Sequence, residues 1–486
     1  MDHKKAILWF ERTRRPAGAG LLIVAVALVA SGCSSRSGNV FRVATGYASH
    51  VLCSDIFVSA QDPNRDYGEN IAASPALRPL RWAMSHDVDR RKREVRVRVF
   101  GGFETRSIYR DGLGCLNVNG VAAADAPAPV SFESEPLAVP LLGDIARPDI
   151  VEPRDPGLKA AIDSAFASPG ESAHRWTHAV VIVHEGRVIA ERYAPGWSVD
   201  SPINAWSASK SVTNALVGIL VRQGKLAVTQ AAPIAAWQAP GDPRHAITVD
   251  HLLRMQSGLA LGNSLTAGIS SGWNTAARTL FNEPDQAGFA QQAELETAPG
   301  TVWNYTDGNS HLLARLVRDA VGGHAADVLR FAWRELFGPL GMRRVTMELD
   351  ATGTPIGAVM MFAPARDWAR LGLLFLNDGV VGGERILPEG WVRYSAKPTP
   401  NAPYGYGAHW WTNVGTSQGA QTRVKWGMPS DSFFASGSLG QYIVVVPSER
   451  LVVTRFGVTH DPPLAMREIA RLVADTIAAL HGRARP

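Results

Sequence analysis

Two apolar strand signals stand at opposite ends of one long segment, and that separation constrains the fold more than any other feature of the chain. The first runs His178-Ala179-Val180-Val181-Ile182-Val183, turns at Glu185-Gly186 and returns through Val188-Ile189-Ala190. The second runs from Tyr442 to Val446, turns at Pro447-Ser448 and continues from Leu451 to Phe456. Short apolar and β-branched runs bounded by turn residues read as strands. A helical stretch near 156–167 precedes the first hairpin, and the middle of the segment is mainly helical. After the second hairpin, Ile469, Leu472, Val473, Ile477 and Leu480 recur at helical spacing. The expected fold class is therefore α+β. One antiparallel sheet is closed by both ends of the segment and flanked by terminal helices, and a largely helical subdomain lies against it.

The chain of 486 residues has room for two or three domains. Hydrophobic residues make up 46% and charged residues 19%, which excludes disorder as the dominant state. A mean hydropathy of -0.04 with one long apolar run excludes a multi-spanning membrane protein. The expected division is 1–32 as a leader, 33–121 as a small β-rich module, 122–155 as a Pro/Ala-rich linker and 156–486 as the main domain. In the module, Glu94 to Val99 alternates polar and apolar residues, Gly101-Gly102 follows, and Phe103 to Tyr109 alternates again, which predicts a hairpin. The basic run Arg90-Arg91-Lys92-Arg93 reads as a solvated turn. Of the net charge of +5, residues 1–32 carry +3, and the +2 left is no footprint for nucleic acid.

The leader has a basic start, an apolar core at 17–30 and the small residues Ala30-Ser31-Gly32 before Cys33. The apolar core is short for a membrane span of about 20 residues. This stretch resembles a bacterial lipobox, with Ala30 where leucine is usual. The resemblance implies cleavage before Cys33, lipidation of its thiol, and a periplasm-facing lipoprotein anchored to the membrane. Ser34 beside the cysteine is not a retaining aspartate, so the outer membrane is the expected destination. An ordinary signal peptide or an uncleaved anchor is the alternative. Ser34, Ser35, Ser37 and Gly38 read as a flexible tether. The two remaining cysteines, Cys53 and Cys115, suggest a disulfide in an exported protein, with two buried thiols as the alternative.

Ser207-Ala208-Ser209-Lys210 opens a helix carrying Val212, Ala215, Leu216, Ile219 and Leu220 and ending at Gly224. Positions i and i+3 share a helix face, so Ser207 and Lys210 stand side by side. A serine hydroxyl needs a base to become a nucleophile. A lysine can be that base if burial and positive surroundings lower its pKa. Taken alone, Ser207 reads equally as a helix cap and Lys210 as a surface charge. His251 and His311, each beside a Leu-Leu pair, read as structural. No His/Cys/Asp/Glu cluster has metal-ligand spacing and no glycine-rich phosphate loop follows a strand, so no metal or cofactor is expected.

Downstream lie Pro299-Gly300-Thr301-Val302-Trp303-Asn304-Tyr305-Thr306-Asp307-Gly308-Asn309 and Phe434-Ala435-Ser436-Gly437-Ser438-Leu439-Gly440. With Ser207-Ala208-Ser209-Lys210, Met255-Gln256-Ser257-Gly258-Leu259 and Tyr404-Gly405-Tyr406-Gly407, these resemble the serine beta-lactamase and penicillin-binding superfamily. The closer likeness is to its class C-like branch of esterases, D-amino-acid peptidases and aminohexanoate-oligomer hydrolases, over roughly residues 175–460. The resemblance implies Ser207 as acylated nucleophile, Lys210 as its base and Tyr305 as proton shuttle to the leaving group. The backbone amides of Ser207 and Ser438 would form an oxyanion hole. Ser436, Gly437, Asp307, Tyr404 and Trp410 are candidate substrate contacts, and Tyr406, Trp411 and Trp426 are also aromatic enough to line a cleft, although core packing is as good a reading for any of the aromatic residues. Asp307 stands where asparagine is usual, and it reads either as a proton acceptor or amine ligand or as a helix cap.

The resemblance implies an exported serine hydrolase acting on small esters or linear amides without a cofactor. A D-alanyl peptidase or weak beta-lactamase is the first rival. Ala435, where beta-lactamases carry a carboxylate-binding lysine, opposes it unless Arg423 or Arg455 substitutes. A catalytically silent binding lipoprotein is the second.

Overall fold

A computed structural model describes residues 35–119, 149–167, 175–266 and 275–482. The leader at 1–32, Cys33, Ser34 and residues 122–148 of the linker lie outside the described residues.

The N-terminal module begins with helix α1, Ser35–Phe57, where a flexible tether was expected. The serine and glycine content suggests a tether, yet from Val43 onward the helix carries buried residues on a packed face, and burial outweighs weak local propensity. Four antiparallel strands follow in meander order: β1 Met84–Asp89, β2 Glu94–Val99, β3 Phe103–Arg110 and β4 Gly114–Asn117. The predicted hairpin pairs Val99 with Phe103 and Glu94 with Ile108. Val95, Val97 and Val99 point to one face and pack with Ala44, Ala48, Leu52 and Ile56 of α1. Cys53 of α1 and Cys115 of β4 form a disulfide, closing a sequence separation of 62. In the chain-entropy model such a loop is worth about 4 kcal/mol.

The main domain contains a six-stranded antiparallel sheet. Its strands are β5 Arg175–His184, β6 Arg187–Tyr193, β7 Trp411–Thr412, β8 Phe433–Gly437, β9 Gln441–Val446 and β10 Leu451–Thr459. Their spatial order is β7-β8-β9-β10-β5-β6, so chain-distant β10 and β5 are neighbours, as the two-ended strand pattern predicts. The sheet is buried on both faces. Ala179, Val181 and Val183 face the large helical core, whereas Val180 and Ile182 face the terminal helices α2, Pro156–Phe166, and α7, Pro462–Leu480. Alternation of side chains along a strand produces that division. The helical side contributes α3 Ser209–Arg222, α4 Thr275–Asn282, α5 Asp307–Ala320 and α6 Ala365–Leu376.

A buried carboxyl joins module and domain. Glu348, 1% exposed, accepts from Ser54 Oγ at 2.7 Å and from the Cys115 amide at 2.8 Å, and it meets His50 Nε2 at 2.6 Å. Gly114 is required beside it: its φ is +68°, and a Cβ there would stand 2.4 Å from Glu348 Cγ. Each buried polar group left without its partner costs about 1–3 kcal/mol. Glu348→Ala is therefore expected to lower the denaturant midpoint strongly, and Glu348→Gln, which keeps one acceptor oxygen, should lose less. Equal stability of wild type and Glu348→Ala in urea titrations would contradict this account.

Candidate active site

Ser207 lies in a short 3-10 turn, Trp206–Ala208, directly before α3. It does not cap that helix: the N-cap is Ala208 and makes no side-chain bond. Trp206 holds a left-handed φ of 49°, and its amide donates to Asn204 Oδ1 at 2.8 Å. Non-glycine residues in this conformation are strained and persist where surrounding packing imposes them. The turn thus presents Ser207 at the floor of a cavity of about 850 Å³.

Lys210 follows one turn later with its side chain 1% exposed. Its ammonium has three N–H bonds, and all three have acceptors. They are Ser207 Oγ at 3.1 Å, Asp307 Oδ1 at 2.5 Å and the Ala358 carbonyl at 3.1 Å. Its Nζ also lies 4.9 Å from the centre of the Tyr305 ring. The condition under which a free lysine could act as base, positive surroundings that lower its pKa, is not what surrounds Lys210. Burial alone pushes its pKa down, but Asp307 and Tyr305 outweigh burial and leave it above the ordinary lysine value. Burial likewise pushes Asp307 up, and Lys210, His311 and the bonds to Lys210 and Ser264 bring it below the ordinary carboxylate value. The resting pair is ammonium and carboxylate.

Asp307 is the first residue of α5, after the N-cap Thr306. It is not the cap: its carboxylate turns to Lys210 and accepts a hydrogen bond from Nζ. Tyr305, buried to 3%, is wedged between Trp411 at 5.4 Å and the edge of Tyr406 at 5.6 Å. Ser436, Gly437 and Ser438, at the end of β8, line the cavity with Ser207, Tyr305 and Asp307. Gly437 permits this approach: a Cβ there would fall 2.0 Å from the Ala205 carbonyl oxygen. The Ser438 amide is thereby brought to the segment that carries Ser207.

The aromatic expectations divide. Tyr404, 51% exposed, lines the cavity. Trp410 does not; it is fully buried against Phe375 at 4.3 Å and Phe433 at 5.3 Å. Its neighbour Trp411 lines the cavity instead, because successive residues of an extended segment face opposite ways. Of the two arginines, Arg423 lines the cavity, with Nε on Asn413 and Nη2 on the Thr412 carbonyl. Arg455 is spent on structure, binding the Gly440 carbonyl, Thr177 and Thr459. His251 completes a capping box with Thr248, and buried His311 is pushed down to about 4 by desolvation. Sequence reasoning missed Ala358, whose backbone carbonyl has no sequence signature. It also missed His409, which meets the Lys210 carbonyl at 3.1 Å and Ser310 Oγ at 3.1 Å. Among the described residues no group of three or more His, Cys, Asp or Glu could hold a metal ion.

Comparison with known proteins bears on the family and the fold. The sequence model of the Beta-lactamase family matches residues 162–478. A 6-aminohexanoate-dimer hydrolase of Paenarthrobacter ureafaciens is 26% identical over 291 residues, covering 56% of this chain and 73% of that protein. A penicillin-binding protein homolog of Caulobacter crescentus shares the fold with a TM-score of 0.51 at 17% identity, over 68% of this chain and 100% of that one. The hydrolase EstCE1, described as having promiscuous acyltransferase activity, superposes with a TM-score of 0.50 at 16% identity, over 65% of this chain and 98% of that one.

The ion pair has a pH signature. Lys210, raised in the folded state, contributes stability that is complete below 10.5 and is lost as pH rises through its folded value. In Asp307→Asn the cation is buried without its carboxylate, which costs about 3–5 kcal/mol. The deficit should be largest at neutral pH and shrink as pH climbs toward 10.5, where the unpaired lysine sheds its proton. Urea titrations across that range check this, and a pH-independent deficit would contradict it.

Proposed function

The chain belongs to the Beta-lactamase family, and on that footing we propose that it is an exported serine hydrolase that cleaves small esters or linear amides through an acyl-enzyme on Ser207. The observation that carries this reading is the unbroken line from Ser207 Oγ to Lys210 Nζ to Asp307 Oδ1, with steps of 3.1 and 2.5 Å, opening into the cavity. Because the resting lysine is an ammonium, the serine proton follows a relay. As Oγ attacks the carbonyl carbon, Lys210 gives one proton to Asp307 and takes the serine proton. The Oγ–H bond breaks, one N–H bond is broken and one remade, and Asp307 ends protonated. Negative charge develops on the carbonyl oxygen, where the amides of Ser207 and Ser438 stabilise it. Collapse breaks the bond to the leaving group, Tyr305 hands it the phenolic proton, and the Lys210–Asp307 pair restores that proton. Water then attacks the acyl group on Ser207, and the same groups take and return its proton.

Ala435 supports esters and uncharged amides over beta-lactams, since no lysine stands at that strand position. A D-alanyl peptidase or weak beta-lactamase is the second reading, favoured by one observation: Arg423 lines the cavity. Two experiments test the proposal. A fluorophosphonate probe should add once to Ser207, read by intact mass, and a short-chain nitrophenyl ester should turn over. Ser207→Ala should lose both, and Tyr305→Phe should slow turnover by about 10²–10⁴-fold. A folded protein with neither adduct nor turnover would make it a silent binding protein.

Export and anchoring through Cys33 belong to the same proposal, with an outer-membrane, periplasm-facing destination. The Cys53–Cys115 disulfide supports an oxidising compartment. The mature chain should begin at residue 33 with the mass of an attached lipid, and Cys33→Ala should lack that mass. An unmodified chain retaining residue 1 would refute the anchor.

A further inference from the structure

One wall of the cavity over Ser207 is built by a part of the chain outside the family match. Val43, Ala44, Tyr47 and Leu77 of the N-terminal module line it, although the matched segment begins at residue 162. Trp206 and Phe281 adjoin them and line the same wall. The lining away from the module mixes Gln418, Thr422 and Arg423 with Trp426, Pro462 and Met466.

The apolar wall is fixed in place. The Tyr47 ring stacks on Trp206 with centroids 5.9 Å apart and meets Phe281 edge-on at 5.4 Å. Helix α1 runs so close to α4 that a Cβ on Gly46 would stand 2.9 Å from the Phe281 carbonyl oxygen. The Asn117 side-chain amide donates to that same carbonyl at 3.0 Å. Glu348 and the disulfide hold α1 and β4 behind the wall. A pre-formed apolar surface beside the reacting atom binds apolar substituents without an ordering cost.

We propose that the N-terminal module is a specificity element: Val43, Ala44, Tyr47 and Leu77 form, with Trp206 and Phe281, a subsite for an apolar chain or ring of the ester or amide substrate. The inference rests on the hydrolase reading given above. The substrates it selects carry an aliphatic or aromatic group on one side of the scissile bond. Removing that group from water contributes about 0.8 kcal/mol per methylene, or close to fourfold in kcat/KM per added carbon until the wall is covered.

The test uses the full chain and two ester series. One lengthens the acyl group of nitrophenyl esters from acetate to decanoate; the other lengthens the alcohol of acetate esters. Fluorophosphonate titration counts labelled sites, so every rate is per folded, reactive Ser207. In the wild type, kcat/KM should climb at least tenfold between two and six carbons in one series. Val43→Phe, whose larger side chain takes up subsite space on the side of α1 that faces Trp206 and Phe281, should cut the six-to-two-carbon ratio at least tenfold. Val43→Ala, a milder change, should lower it two- to fivefold. A labelled, active enzyme with flat profiles in both series, or with ratios unmoved by both variants, overturns the subsite alone. Absence of labelling in the wild type overturns the hydrolase reading, and the subsite falls with it.

Discussion

One buried ammonium organises the site. Lys210 binds the candidate nucleophile, a carboxylate 97 residues further along and the carbonyl of Ala358 with its three N–H bonds. A charge taken out of water is tolerable only when it is paired and its hydrogen bonds are met. α3, the start of α5 and the segment at Ala358 are therefore held to one another by an electrostatic requirement as well as by packing. The same requirement governs the chemistry. The partner that makes the buried cation stable also favours its protonated form, so the acylation proposed for Ser207 calls for a relay.

The rest of the site follows from how closely backbones approach. Gly437 lets the end of β8 lie on the Ala205 carbonyl, and the strained φ of Trp206 turns Ser207 toward the cavity. The sheet supplies the rigidity. With both faces buried, β8 is fixed against the helical core and the terminal helices, and the amide of Ser438 inherits that fixed position. The N-terminal module attaches by a different logic. Its own core is sealed by the disulfide, and it docks through the polar cluster around Glu348, whose partners come from α1 and β4. Docking brings one face of α1 to the mouth of the site.

What was legible in the sequence was what depends on residues near one another in the chain. The separated strand signals determined a sheet closed from both ends, because alternation and turn residues are local properties. The i, i+3 spacing of Ser207 and Lys210 put them on one side of a helical turn, and the hairpin of the module could be read from its alternation. The Cys53–Cys115 pairing followed from parity. Tertiary structure alone paired Lys210 with Asp307, which reaches it only through folding, and so set the direction in which the lysine's pKa moves. It alone sent Trp410 into the core and Trp411 to the cavity, because which face of a short strand is buried depends on what packs against it. It alone made α1 a wall of the site. Charge coupling and burial depend on distance in space, and a sequence orders residues only along the chain.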